Sequence, residues 1–91
     1  MTFVATAYCQ RGNTAAGVTV REGIVAADPT LLPLGTLIRI EATGYRDGLY
    51  RVLDTGAKIR GHQIDLFISN CTQAKRFGRR TVRVVLVESG K

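Results

Sequence analysis

Short apolar segments recur along the whole chain, and each one ends at a turn residue. Apolar and polar positions alternate most clearly in 36–41 and 79–88, which predicts half-buried β-strands there. One short helix is predicted at 71–77, with Ser69-Asn70 as its N-cap and Gly78 as its C-cap. Further short strands are predicted at 3–8, 18–20, 23–27, 49–53 and 64–68. Six or seven short strands with one helix predict a mainly β fold closed into a small barrel, because a closed barrel leaves no sheet edge exposed.

The segment 52–67 carries two aspartates in a setting that favours proton transfer. Asp54 and Asp65 each adjoin an apolar run, and a glycine-containing loop lies between them. We therefore expect two carboxylates at the ends of neighbouring strands, partly removed from water. Burial and like-charge repulsion raise the pKa of one carboxyl in such a pair and leave it a proton to donate near neutral pH. The alternative is that both aspartates cap turns, as most loop aspartates do.

The two cysteines matter because the chain is short. Ninety-one residues predict one domain, spanning 1–91, that buries only about 60–65% of its unfolded surface. Cys9 and Cys71 form no CxxC pair and have one histidine available, which argues against zinc. They are either two independent buried thiols or one disulfide, and their positions at the polar edges of apolar runs favour the disulfide. It would contribute about 4 kcal/mol in the chain-entropy model and would imply an oxidising compartment.

The net charge of +6, from 13 Lys and Arg against 7 Asp and Glu, favours anionic partners. The basic residues are spread, and the aromatic residues do not interleave with them as a base-stacking platform requires. The competing explanation for the positive charge is that the basic residues lie on solvent-exposed strand and helix faces and keep the protein soluble. No apolar run approaches the ~18 residues of a membrane span. A secretory signal is also missing, so an extracellular location predicts that this chain is a mature or trimmed one.

Several segments, in order and along nearly the whole chain, resemble the 3D domain, a family named for three aspartates. They include the sequences Leu-Asp-Thr-Gly and Ile-Asp-Leu-Phe and lie at 5–8, 14–17, 25–29, 32–36, 52–56, 59–61, 64–67 and 74–80. This domain occurs in MltA-type murein lytic transglycosylases and in small bacterial cell-wall and spore proteins. The resemblance implies a six-stranded double-psi β-barrel, and we expect no cofactor or metal. It identifies the three aspartates as Asp28, Asp54 and Asp65.

The resemblance also implies a reaction, namely cleavage of peptidoglycan glycan strands between N-acetylmuramic acid and N-acetylglucosamine. Asp65 is then the general acid and base, Asp54 lies beside it, and Asp28 completes the cluster. The implied product is a 1,6-anhydro sugar. An extracytoplasmic location follows, in the periplasm, in the cell envelope or outside the cell. Residue chemistry adds candidate substrate-binding positions at Tyr8, Thr14, Thr55, Gly56, Lys58 and Arg60.

The sequence departs from the family pattern in the loop after Asp54. Two glycines are usual there, whereas Gly56 is followed by Ala57 in this chain. If the second position needs a positive φ, alanine is strained by roughly 1 kcal/mol. His62 lies in the same loop, and a lone loop histidine is more often solvated than catalytic.

The chain is also shorter than a full MltA-type enzyme, in which the glycan lies in a groove between this barrel and a second domain. The alternative function is therefore a non-catalytic wall-binding or wall-loosening module, similar to the first domain of expansins. A nucleic-acid-binding barrel ranks last, because clustered carboxylates would repel phosphates. Asp28 also has a simpler interpretation, which is that it caps the turn that follows it.

Overall fold

The computed structural model describes residues 1–90, which form six strands and one helix. In chain order they are β1 (Thr2–Tyr8), β2 (Ile24–Ala27), β3 (Leu37–Glu41), β4 (Gly48–Asp54), β5 (Gln63–Phe67), α1 (Cys71–Phe77) and β6 (Arg80–Glu88). The strands close into a barrel in the order β1-β5-β2-β4-β3-β6. The β1/β5 and β2/β4 pairs are parallel, and the remaining pairs are antiparallel. The prediction of a mainly β, six-stranded closed barrel with a short helix near the C-terminus is confirmed.

The barrel interior is filled by the apolar side chains that alternate along each strand. In β3, Ile38 and Ile40 are buried while Arg39 between them is exposed, as the sequence pattern predicts. The other strands contribute equally to this core. Its fully buried members include Phe3, Val25, Val52, Ile64, Leu66, Val82 and Val84.

The helix α1 forms where the sequence predicts it. The Asn70 side chain accepts a hydrogen bond from the Gln73 N–H at 3.0 Å, which satisfies one free amide of the first turn. Gly78 ends the helix at a φ of 62°. Ala74 and Phe77 bury their side chains in the barrel core. In the part of the chain that the structure describes, no helix has the length and apolar character needed to cross a bilayer.

A second, smaller apolar cluster lies on the outside of the barrel. Ile24 and Phe67 are adjacent in sequence to inward-facing core residues and therefore point outward, where they pack with Val20. The strand predicted at 18–20 is wrong, since that segment forms only an isolated bridge from Thr19 to Asn13. Its amides pair within the loop instead, with the Val20 N–H donating to the Gly12 carbonyl at 2.9 Å. The loop thus covers the outer cluster without joining the sheet.

The predicted disulfide is confirmed. Cys9 and Cys71 are bonded, with a Cα–Cα distance of 5.2 Å. The bond ties the residue that follows β1 to the first residue of α1. It therefore fixes the helix against the end of the first strand.

Candidate functional site

Asp65 and Asp54 lie in one row on the outer face of the barrel. Strand pairing places Asp65 opposite Ala26, and Ala26 opposite Asp54. On its other side Asp65 pairs with Thr6 of β1. Because paired residues point to the same face of a sheet, the Ala26 methyl group is what lies between the two carboxylates. The expectation of neighbouring strand ends was wrong, since β2 separates β4 from β5 and Asp65 occupies the middle of its strand.

A register shift brings Asp54 into this row. Val25 pairs with Val52, but the next residue of β2, Ala26, pairs with Asp54, so that Leu53 is skipped. In an unbroken ladder Ala26 would pair with Leu53, and Asp54 would point to the other face. Irregularities of this kind re-aim a side chain and are frequent beside functional sites. The carboxylate pair therefore depends on this irregularity.

Asp65 has the properties expected of a proton carrier. Its carboxyl is partly buried, and the Thr6 hydroxyl donates to its Oδ1 at 2.9 Å. Burial raises the pKa of Asp65 above the usual range, and the negative charge of Asp54 adds to that rise, while the Thr6 hydrogen bond opposes it. Asp65 therefore keeps its proton to a higher pH than an ordinary aspartate does.

Asp54 is held by donors on both oxygens. The Tyr8 hydroxyl donates to Oδ2 at 3.2 Å. The backbone N–H groups of Ala15 and Thr55 donate to Oδ1 at 3.0 and 2.9 Å. Burial and the neighbouring charge of Asp54 raise the pKa of Tyr8, so its hydroxyl remains a donor over the physiological range. The result is a fixed negative charge beside Asp65.

Asp28 is engaged elsewhere. Its Oδ1 accepts from the N–H and the hydroxyl of Thr30 at 3.0 and 2.8 Å, and its Oδ2 accepts from the Gly61 N–H at 2.8 Å. These bonds, with that from Gly61 the strongest, lower the pKa of Asp28 to about 2. Asp28 thus caps the turn after β2 and anchors the loop that follows β4. Its place in a catalytic cluster stays a prediction, and its contacts favour the turn-capping interpretation.

The predicted substrate-binding residues fall into different settings. Thr14 is 6% exposed, and its hydroxyl accepts from the Val18 N–H at 3.4 Å, so it holds its own loop together. Thr55 is exposed beside Asp54, and Tyr8 borders the pair directly. A Cβ at Gly56 would lie 2.9 Å from Cγ1 of Ile59. Local packing therefore explains that glycine without a ligand.

The remaining loop residues form no hydrogen bond or ion pair with Asp54 or Asp65 among residues 1–90. Lys58 and Arg60 are exposed, and the charge of Arg60 contributes to the low pKa of Asp28. His62 is exposed, as expected, with its ring centroid 4.9 Å from that of Phe3. The strain considered for Ala57 is not present. Among residues 1–90 the non-glycine residue with a positive φ is Ala42, at 66°.

The site contains groups that the sequence did not reveal. Thr6 contacts Asp65, the Ala15 amide contacts Asp54, and Ala26 leaves room between them. Thr6 could have been predicted from its spacing of two residues from Tyr8 on β1, because this spacing places both side chains on one face of the strand. The small residues of 14–17 were the signal for close backbone approach to a carboxylate. Within residues 1–90 no three His, Cys, Asp or Glu side chains are arranged to hold a metal ion.

Two surface depressions share a border near Asp54. The smaller, of about 170 Å³, is bordered by Asp54 and Arg11. The larger, of about 390 Å³, is bordered by the Cys9–Cys71 disulfide and Lys75. Tyr8 and Gln10 line both depressions. Tyr8, whose hydroxyl donates to Asp54, therefore connects both depressions to the acid pair, whereas Asp65 lines neither of them.

Comparison with known proteins assigns the chain to a family. The family model described as 3D domain matches residues 23–88, a range that contains Asp28, Asp54 and Asp65. The chain belongs to the 3D domain family. In this 3D domain the loop between Asp54 and Asp65 also falls inside the matched range.

The relatives of this 3D domain are longer proteins. It is 33% identical over 96 residues to YabE of Bacillus subtilis strain 168, whose name is "Putative cell wall shaping protein YabE", covering 96% of this chain and 23% of the relative. It is 34% identical over 93 residues to the cell wall-binding protein YocH of the same organism, covering 92% of this chain and 31% of the relative. The chain thus spans about a quarter to a third of these relatives.

The fold of this 3D domain also occurs in a solved enzyme structure. Escherichia coli MltA with bound chitohexaose superimposes with a TM-score of 0.72 at 20% identity, over 90% of this chain and 29% of that one. MltA is a lytic transglycosylase. At this level of identity the comparison shows a shared barrel fold.

Proposed function

We propose that this 3D domain is a peptidoglycan lytic transglycosylase, with Asp65 as the general acid and base. The observation that carries the proposal is geometric: the partly buried Asp65 carboxyl, bonded to Thr6, lies across Ala26 from the anchored Asp54 on the outer face of the barrel. Burial and the charge of Asp54 raise the pKa of Asp65, which fits a proton donor. The names of the Bacillus relatives support a cell-wall role. The barrel shared with MltA, whose structure holds the oligosaccharide chitohexaose, supports a glycan ligand.

The proposed reaction uses one carboxyl group twice. Protonated Asp65 gives its proton to the glycosidic oxygen as the bond to C1 of N-acetylmuramic acid breaks. Positive charge develops on the sugar ring, where the charge of Asp54 stabilises it. The ionised Asp65 then removes the proton from the 6-hydroxyl of the same sugar. O6 bonds to C1, which gives the 1,6-anhydro product and returns Asp65 to its protonated form without consuming water.

The hydrogen bonds around the pair fit these roles. Thr6 occupies Oδ1 of Asp65, which leaves Oδ2 to exchange the proton with the sugar. Tyr8, Ala15 and Thr55 hold Asp54 in place. A carboxylate fixed before the substrate arrives does not need to reorganise as charge develops. We also propose an extracytoplasmic location, since the Cys9–Cys71 disulfide persists in oxidising compartments.

Purified sacculi test the reaction. The expected product of the wild-type domain is 1,6-anhydromuropeptides, identified by mass, and Asp65→Asn should lower their rate of release by about 100-fold or more. Glu88→Gln is the matched control, because it removes one carboxylate from an exposed ion pair with Arg51. Its rate should equal that of the wild type. Products with free reducing ends would show a hydrolase and contradict the proposal.

The second candidate function is a non-catalytic wall-binding module. The observation that favours it is that the relative YocH, 34% identical over 92% of this chain, is named for wall binding. In that case sacculi retain the wild-type protein and the Asp65→Asn variant equally, and no anhydro product forms from either. Retention together with anhydro product from the wild type supports the enzyme.

A further inference from the structure

The larger depression lies outside the acid pair and is joined to it through Tyr8. The polar residues that line it are Gln10, Thr72 and Lys75, together with Tyr8. At about 390 Å³ it falls in the range of small-molecule sites, roughly 300–1,000 Å³. The neighbouring depression at Asp54, at about 170 Å³, falls below that range.

This depression is built on rigid elements. Its floor includes the Cys9–Cys71 disulfide, which joins the end of β1 to α1. Ala74 packs into the barrel core and holds the helix in place. The Tyr8 ring packs edge-on against Phe67 with the centroids 5.5 Å apart, while its hydroxyl is bonded to Asp54. The shape therefore exists before any ligand binds, which lowers the entropic cost of binding.

The polar groups around the depression specify the chemistry of the ligand. Lys75 is the charged residue on its rim, and within residues 1–90 it forms no ion pair. Gln10 and Thr72 add an amide and a hydroxyl next to apolar alanine and disulfide surface. A carboxylate suits the ammonium group, a peptide amide suits Gln10 and Thr72, and small aliphatic side chains suit the apolar floor. A neutral sugar ring would leave the cation without a partner.

We infer that this depression binds the peptide stem of peptidoglycan, with Lys75 pairing with a stem carboxylate. The inference rests on the proposed peptidoglycan substrate and extends it to a substituent of the glycan. The stem branches from N-acetylmuramic acid, the sugar whose C1 bond the acid pair is proposed to break. A stem in the larger depression thus places its own sugar toward Tyr8 and Asp54. The domain then prefers glycan strands that carry peptide over bare ones.

The test compares two charge reversals in the last turn of α1. Lys75→Glu and Arg76→Glu change the net charge equally and are both exposed, but Arg76 does not border the depression. Binding is measured by sedimentation with peptidoglycan freed of teichoic acid, before and after an amidase removes the stems. The amidase leaves a lactyl carboxylate on each muramic acid, so the glycan remains anionic.

On stem-bearing peptidoglycan we expect Lys75→Glu to bind about fivefold more weakly than Arg76→Glu and the wild type. On stripped glycan all three proteins should bind alike, and the wild type should bind it more weakly than the intact polymer. Equal binding of the three proteins to intact peptidoglycan would overturn the stem assignment alone. A defect of Lys75→Glu seen only when teichoic acid is present would assign the depression to phosphate and overturn it as well. Absence of wild-type binding to either polymer would instead refute the proposed peptidoglycan function.

Discussion

The disulfide gives the sharpest quantitative prediction. It joins residues 62 positions apart, and in the chain-entropy model closing a loop of that length stabilises the fold by about 4 kcal/mol at 25 °C. A 91-residue domain has a total unfolding free energy of roughly 5–14 kcal/mol at the usual stability per residue. Loss of the cross-link therefore removes a large part of the stability. At about 5 °C per kcal/mol for a domain of this size, Tm should fall by about 20 °C.

The measurement is a thermal melt at pH 7 followed by circular dichroism. The double variant Cys9→Ser/Cys71→Ser is compared with the oxidised wild type and with the wild type in reductant. Reduced wild type keeps both sulfur atoms, so agreement between it and the double variant attributes the change to the cross-link. If Tm decreases by less than about 5 °C in both samples, the reasoning is refuted. The cross-link would then not restrict the unfolded chain as the chain-entropy model requires.

Three further predictions concern charge and backbone conformation. Asp54→Asn should lower the pKa of Asp65, because it removes a negative charge that opposes ionisation. The measurement is a ¹³C-detected NMR titration of the Asp65 carboxyl, and an unchanged or higher pKa would contradict the prediction. Asp28, whose pKa is lowered from 3.8 to about 2, stabilises the fold above pH ~4 and loses that effect as the pH falls toward 2. In urea unfolding, Asp28→Asn should therefore have a lower free energy of unfolding than the wild type at pH 6, and the difference should narrow by pH 2. A difference that does not depend on pH would contradict this prediction. Ala42→Gly should raise Tm by a few degrees, because alanine at a φ of 66° is strained by roughly 1 kcal/mol. A lower Tm in the thermal melt would show that Ala42 is not strained in this loop.

The sequence predicted the elements whose signals are local. The alternation of β3 and the Asn70 and Gly78 caps of α1 are properties of neighbouring residues, and each appears in the structure. In the closing strand the predicted alternation holds for the buried Val82 and Val84 but not for Leu86, which is exposed. The segment 18–20 has the composition of a strand but lies in a loop, because Val20 is buried against the outer cluster. Composition alone does not distinguish a side chain buried inside the barrel from one buried on its outer face.

The candidate site was only partly predictable, because its geometry depends on contacts between distant segments. The aspartates were visible as residues, but the register shift that aims Asp54 beside Asp65 arises from the pairing of β2 with β4. Thr6 reaches Asp65 because β1 and β5 are parallel neighbours, and this follows from the closed topology. Asp28 resembles the other two aspartates in sequence, whereas its hydrogen bonds to Thr30 and Gly61 are seen only in the folded chain.

The strand order also determines when the barrel can form during synthesis. β6 pairs with both β1 and β3 and closes the sheet, so the ring is incomplete until Glu88 has emerged. The parallel β1/β5 pair and the Cys9–Cys71 bond require only the first 71 residues. The disulfide can therefore tie the end of β1 to the start of α1 before β6 has paired. A chain held in this way has one open seam, between β1 and β3, which is the place that β6 takes in the folded barrel.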